Sequence, residues 1–191
     1  MLAKTIKTEG VKGQSLRLMF QDEARFGRIT DPRSCWAPYP IRPVVKASLV
    51  REYVYAYAAV SPLQGDLDWK ICAKMNTECM GEFLNQIGKR YTDDFIIMIL
   101  DGASSHRAKN LVIPENIRLI PLPPYSPELN PVEHIWDELR EKEFPNRVFD
   151  SLRAVQVQLE AGMKKMSTNN LDVKSLTYWP WIENSLILNT T

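Results

Sequence analysis

The sequence predicts an α/β fold, with a mixed five-stranded sheet flanked by helices. Five segments have the apolar or alternating pattern of strands: residues 16–21, 51–61, 66–73, 95–100 and 117–122. Three segments have apolar residues at helical spacing: residues 77–91, 130–143 and 151–165. A chain of 191 residues, 45% of them hydrophobic, is long enough to bury one sizeable core.

The order of these segments predicts how the strands pair. The first three strands precede any helix, and we expect them to be antiparallel, whereas strands separated by a helix are expected to be parallel. Residues 95–100 are continuously apolar, which is typical of a central strand covered on both faces. Residues 27–46 hold four prolines and predict a long loop. This order fits a ribonuclease-H-like fold.

The predicted organisation is one domain with two short flanking segments. Residues 1–14 are polar and are expected to form a linker or a frayed N-terminus. Residues 15–165 are predicted to form the ribonuclease-H-like domain. Residues 166–191 are predicted as a C-terminal extension, in which Trp179-Pro180-Trp181 begins one more helix.

Composition narrows the class of protein. The formal net charge of +1 means that any nucleic-acid contact must come from local patches. Three cysteines without a C-x-x-C pair and two histidines argue against a zinc site and favour reduced thiols. No apolar run approaches the length of a membrane span, and no signal peptide is evident. We therefore expect a cytoplasmic protein that does not bind membranes.

Two aspartates are predicted where apolar strands give way to polar loops. Asp22 follows residues 16–21, and Asp101 follows residues 95–100. Sites in such sheets form at strand ends, so neighbouring strands would let both carboxylates face a common ion. The alternative for each is an aspartate that merely starts a turn. Two buried carboxylates are costly unless a positive ion neutralises them, and Mg²⁺ prefers oxygen ligands.

Glu133 is the third candidate acid. It lies in the first turn of the predicted helix at residues 130–143, about 60° from Trp136 at about 100° per residue, and so borders the buried face. The alternative is structural, because Asn130 followed three residues later by Glu133 has the pattern of a capping box. Three acids of this kind could hold two Mg²⁺ ions about 3.5–4 Å apart, which clamp a phosphodiester.

Three motifs resemble those of mariner-type transposases and their bacterial insertion-sequence relatives. Leu-Pro-Pro-Tyr-Ser-Pro-Glu-Leu-Asn-Pro-Val-Glu-His-Ile-Trp, residues 122–136, resembles the stretch with the third catalytic acid, which falls on Glu133. Leu100 to His106 resembles the second-aspartate motif, with the acid on Asp101, and Gln21 to Gly27 resembles the first, with the acid on Asp22. Cys35-Trp36-Ala37-Pro38 and Arg42-Pro43 also resemble bacterial members.

The resemblance implies a DDE superfamily endonuclease domain with a ribonuclease-H-like fold. It further implies two Mg²⁺ or Mn²⁺ ions, cut-and-paste transposition of DNA, and a homodimer that brings two transposon ends together. Glu133 follows Asp101 by 32 positions, slightly fewer than is usual in the family, and Gly102 stands where Asn is frequent. Family members also have an N-terminal helix-turn-helix region. This chain is therefore expected to be a truncated gene product, the second frame of a frameshifted enzyme, or an isolated domain.

Basic residues in the loop after the first strand are candidates for DNA contact. The candidates are Arg25, Arg28, Arg33, Arg42, Lys46 and, in the second motif, His106. Such a cluster suits a phosphate backbone, although a scattered basic surface is the alternative. The charged residues at 137, 138 and 140–142 are expected on a solvated helix face.

Three functions compete at this point. The leading one is a transposase catalytic domain that cuts and joins DNA strands. The second is a nuclease of the same fold that does not join strands. The third is an inactive transposase remnant that only binds DNA.

Overall fold

The structure is a computed structural model of the chain, and it describes residues 15–30, 32–101, 110–124 and 126–187. The strands are β1 Ser15–Gly27, β2 Tyr53–Ser61, β3 Asp66–Cys72, β4 Asp94–Leu100 and β5 Ile117–Pro121. The helices are α1 Thr77–Arg90, α2 Val132–Lys142, α3 Leu152–Ser167, α4 Asn170–Thr177 and α5 Pro180–Ile187. The predicted linker at residues 1–14 lies outside the described residues.

The five strands form one mixed sheet in the order β3-β2-β1-β4-β5. Pairing is antiparallel between β1 and β2 and between β2 and β3, and parallel between β1 and β4 and between β4 and β5. The tight β2–β3 turn uses Gly65 at φ 76°, where an added Cβ would meet the backbone of Asn170. The predicted mixed five-stranded sheet is confirmed.

Helices cover both faces of this sheet. On one face, α1 buries Met80, Phe83, Leu84 and Ile87 against Met98 and its neighbours. Asn76 begins this helix, because its side chain accepts a hydrogen bond from the backbone N–H of Cys79. On the other face, helices α2 to α5 pack against the alternate residues of the strands. The sheet is thus buried on both sides, as the apolar run in β4 predicts.

The first strand is longer than its apolar run. The sequence places a loop at Asp22, but β1 continues through it to Gly27 and pairs with β2 along this part. Its outer half alternates, so that Ala24 and Phe26 are buried while Arg25 is exposed. An alternating strand covered on one face needs no continuous apolar run. The prediction that β1 ends at residue 21 was therefore wrong.

The C-terminal residues complete the helical layer. Val173 of α4 and Ile182 of α5 are fully buried in the same apolar cluster as the central strands. The Nδ1–H of His134 donates to the carbonyl oxygen of Leu176 at 3.0 Å, and the His134 ring lies 5.3 Å from that of Trp179. Within the described residues, none of the helices has the length and apolarity that crossing a membrane requires.

Candidate active site

The parallel pairing of β1 with β4 brings two of the candidate acids to neighbouring positions. The paired register ends at Phe20 opposite Ile99. Asp22 lies two residues further along β1 and Asp101 directly follows β4, so a continued register would pair the two positions. Asp101 is exposed. Beyond this point β1 continues with β2 as its neighbour, and within the described residues no strand pairs with its other edge.

Asp22 is a largely buried carboxylate held against helix α2. The indole Nε1 of Trp136 donates to Oδ2 of Asp22 at 3.0 Å. Burial raises the pKa of Asp22 from 3.8 to about 7, the Trp136 hydrogen bond opposes this rise, and the nearby charge of Glu133 adds to it. Two acids therefore influence each other in a site where the charged form is costly. That arrangement favours a bound cation.

The start of α2 is fixed to β1 next to Asp22. The buried Asn130 donates through Nδ2 to the carbonyl oxygen of Gln21 at 3.2 Å, and its Oδ1 accepts from the backbone N–H of Val132 at 3.2 Å. One side chain thus joins the helix that presents Glu133 to the strand that presents Asp22. From the sequence, Asn130 was interpreted only as a helix cap. Its position two residues before the first helical residue was the one indication that its side chain could bond elsewhere.

The capping-box alternative for Glu133 is not formed. The N-cap residue of α2 is Pro131, which has no N–H for a glutamate to accept, and the side chain that accepts a backbone N–H at the start of this helix is that of Asn130. The backbone N–H of Asn130 donates instead to the carbonyl oxygen of Pro127 at 2.8 Å. Glu133 is half-buried in the first turn. Its carboxylate is therefore not used for capping.

The acids offer a divalent cation an oxygen donor set without forming a closed cluster. Across the described residues, no three acidic, histidine or cysteine side chains stand close enough together to hold a metal ion. Asp22 and Glu133 are the pair brought into electrostatic contact. Carboxylate oxygens suit Mg²⁺ or Mn²⁺, and a cation would offset the cost of charging the buried Asp22. The residues present therefore fit such an ion.

The candidate DNA-binding residues fall into different settings. Arg25 is exposed, with its guanidinium 5.1 Å from the ring centre of Tyr53. Arg28 is structural, because it pairs with Glu52 at 2.9 Å and donates to the carbonyl oxygen of Phe149 at 3.1 Å.

The other candidates lie further along the same loop. The backbone of Arg33 is held by Asn146, and its side chain lies 3.5 Å from Glu141. Arg42 and Lys46 are exposed in the loop between β1 and β2. His106 lies outside the described residues.

Gln21 is a further polar residue that sequence reasoning passed over. Its side chain is fully buried, and neither of its amide atoms has a hydrogen-bond partner within the described part of the chain. It directly precedes Asp22, and its own carbonyl oxygen accepts from Asn130. Its polar side chain at the end of an apolar run was the one indication in the sequence that this position is unusual.

A ribonuclease-H-like sheet, with Asp22 within β1 and Asp101 directly after the parallel strand β4, defines the class of fold and site. The family model described as "DDE superfamily endonuclease" matches residues 17–156. The chain belongs to this family. A curated relative, "Uncharacterized protein y4pE/y4sA" of Sinorhizobium fredii (strain NBRC 101917 / NGR234), is 33% identical over 134 residues, which are 70% of this chain and 99% of that protein.

Solved structures share the fold at low sequence identity. The Mos1 strand transfer complex superposes with a TM-score of 0.57 at 16% identity, covering 93% of this chain and 59% of that chain. The Mos1 mariner paired end complex with Mn gives a TM-score of 0.58 at 17% identity, covering 93% and 60%. The chain thus spans about three fifths of the length of these solved chains. The predicted ribonuclease-H-like fold is confirmed.

Proposed function

We propose that this chain is a transposase catalytic domain that cuts and joins DNA strands with divalent cations. The observation that supports it best is the buried carboxylate of Asp22, placed beside Glu133 and next in register to Asp101. Burial makes the charged form of Asp22 costly, and the nearby charge of Glu133 adds to that cost, so the placement of this pair needs a functional reason. Membership in the DDE superfamily endonuclease family supplies the class of reaction.

In this mechanism, the role of Asp22, Asp101 and Glu133 is to hold two Mg²⁺ or Mn²⁺ ions. When bound, such ions would supply activation of a water or 3′-hydroxyl for attack on a phosphodiester and stabilisation of the leaving oxygen. Asp22 must lose its proton to act, and Trp136 steadies the charged form by donating to one of its oxygens. Asn130 keeps Glu133 in register with Asp22 by tying α2 to the backbone of β1.

The proposal includes partners beyond this chain's own acids. Two of the structural relatives are described as a strand transfer complex and a paired end complex, so we propose transposon ends and target DNA as substrates. A homodimer is part of the proposal, because two ends must be brought together. It is supported by apolar side chains that are almost fully exposed in the loop after β1: Trp36, Tyr39, Val44 and Leu49. Recognition of the ends is proposed to lie outside residues 15–165.

A strand-joining assay tests this proposal. The purified chain, alone and joined to its natural upstream region, is mixed with labelled DNA ends of the element that encodes it, a plasmid target and Mg²⁺ or Mn²⁺. We expect end-specific cleavage and covalently joined products, both abolished by EDTA.

The products distinguish the three candidate functions. Nicked or cut DNA without joined strands would replace this proposal with the nuclease of the same fold. Binding without any cut would favour the inactive remnant. Asp101→Asn serves as the matched negative control, because the exchange keeps the size of the side chain and removes its charge.

A further inference from the structure

A polar cavity lies beyond the acids, at the outer end of β1. Its volume is about 340 Å³, near the lower end of the range for small-ligand sites. It is formed where the outer end of β1, the beginning of the following loop and the C-terminal end of α2 meet. It is separate from the contacts that join Asp22, Trp136 and Asn130.

Four arginines line this cavity: Arg25, Arg33, Arg140 and Arg147. Two of them have carboxylate neighbours, since Arg33 lies 3.5 Å from Glu141 and Arg140 lies 3.9 Å from Asp137. Within the described residues, Arg25 and Arg147 form no ion pair. The cavity therefore keeps an excess of positive charge, although the chain as a whole is nearly neutral.

Three phenylalanine rings, those of Phe26, Phe144 and Phe149, also line the cavity. The guanidinium of Arg140 lies 5.6 Å from the ring centre of Phe26, and that of Arg147 lies 5.3 Å from Phe149. Phe144 links these two rings at 5.0 and 5.6 Å. Arginine planes and aromatic rings together are the surface on which nucleobases stack and phosphates bind.

The cavity lies at a fixed spacing from the acids. Arg140 follows Glu133 by seven residues on α2, a rise of about 10 Å at about 1.5 Å per residue. Arg25 follows Asp22 by three residues on β1, which is also about 10 Å at about 3.3 Å per residue. The cavity therefore lies about 10 Å along both elements from the acids, a distance that a DNA strand spans in a few nucleotides.

We propose that this cavity, the arginine pocket, holds one nucleotide unit of a DNA strand a few nucleotides from the phosphate at the acids. The arginines bind its phosphate, and the partly exposed rings of Tyr53 and Phe144 contact its sugar or base. The placement relative to a reacting phosphate rests on the proposed function. The binding of a nucleotide unit does not, because it depends only on the charges and rings of the pocket.

The test is a salt titration of DNA binding in EDTA. A fluorescein-labelled single strand of about 12 nucleotides and mixed sequence is bound to the wild-type chain and to Arg140→Gln/Arg147→Gln between about 50 and 200 mM salt. We expect the double variant to bind several-fold more weakly at low salt. Its slope of log K against log[salt] should be shallower by about 1.

The control is Lys89→Gln/Lys164→Gln, which removes two exposed charges from α1 and α3, outside the pocket. Its slope should match the wild type, and thermal unfolding checks that both variants fold. An unchanged slope in the pocket variant, or an equal change in the control, overturns the proposal. Because EDTA prevents cleavage, this outcome is independent of whether the acids cut DNA, which the strand-joining assay decides.

Discussion

Glu133→Gln, Asp22→Asn and Asp101→Asn are each expected to lower cation-dependent DNA cleavage by at least about a thousandfold. Each exchange keeps the shape of the side chain and removes the negative charge that the cations need. Cleavage of labelled DNA ends in Mg²⁺ and in Mn²⁺ measures the loss.

Glu138→Gln is the matched control, because Glu138 lies on the same helix and pairs with Lys142 on its surface. It should cut at the wild-type rate. The site assignment would be contradicted by Glu133→Gln retaining wild-type cleavage, or by an equal loss in the control. Thermal unfolding of each variant separates lost chemistry from lost folding.

Asp22→Asn is also expected to change how the stability of the cation-free chain depends on pH. The folded chain keeps a proton on Asp22 up to about pH 7, whereas an unfolded aspartate loses it near 3.8. Stability from this group is fully present below pH 3.8 and is lost as the pH rises to about 7. Between pH 5 and 8 the wild type should lose about 2–3 kcal/mol relative to Asp22→Asn, at about 1.4 kcal/mol per pKa unit.

Urea denaturation in EDTA at the two pH values measures this difference. Asp93→Asn, which changes an exposed aspartate, should follow the wild type. Adding Mg²⁺ at pH 8 should restore the stability of the wild type, because a ligand that binds only the folded state stabilises that state. The stability of Asp22→Asn should not change. Parallel pH profiles for the wild type and Asp22→Asn would mean that Asp22 is not buried as a charged group.

Most of the fold could be predicted because its strands and helices have strong local patterns. The run at residues 95–100 and the tyrosines of β2 are apolar or alternating over whole strands, and α1 begins at the predicted residue 77, with Asn76 as its cap. The end of β1 could not be predicted from its apolar run, since its outer half is held by pairing with β2 rather than by composition.

The residues of the candidate site could be predicted from the sequence, but the contacts between them could not. The motifs single out Asp22, Asp101 and Glu133, yet the bond from Trp136 to Asp22 joins positions 114 residues apart. Arg140 illustrates the same limit. It was predicted on a solvated helix face, but it lies over the ring of Phe26 because β1 extends beneath the end of α2.

Titration calorimetry with Mn²⁺ tests whether Asp22 and Glu133 hold a cation. It measures cation binding without requiring the correct DNA ends. The wild type and Glu138→Gln are expected to bind Mn²⁺ at pH 8, with binding weakened at pH 5 as Asp22 takes up its proton. Asp22→Asn and Glu133→Gln are expected to lose this binding. If both variants bind Mn²⁺ with the stoichiometry and affinity of the wild type, these acids do not hold the cation and the account is wrong.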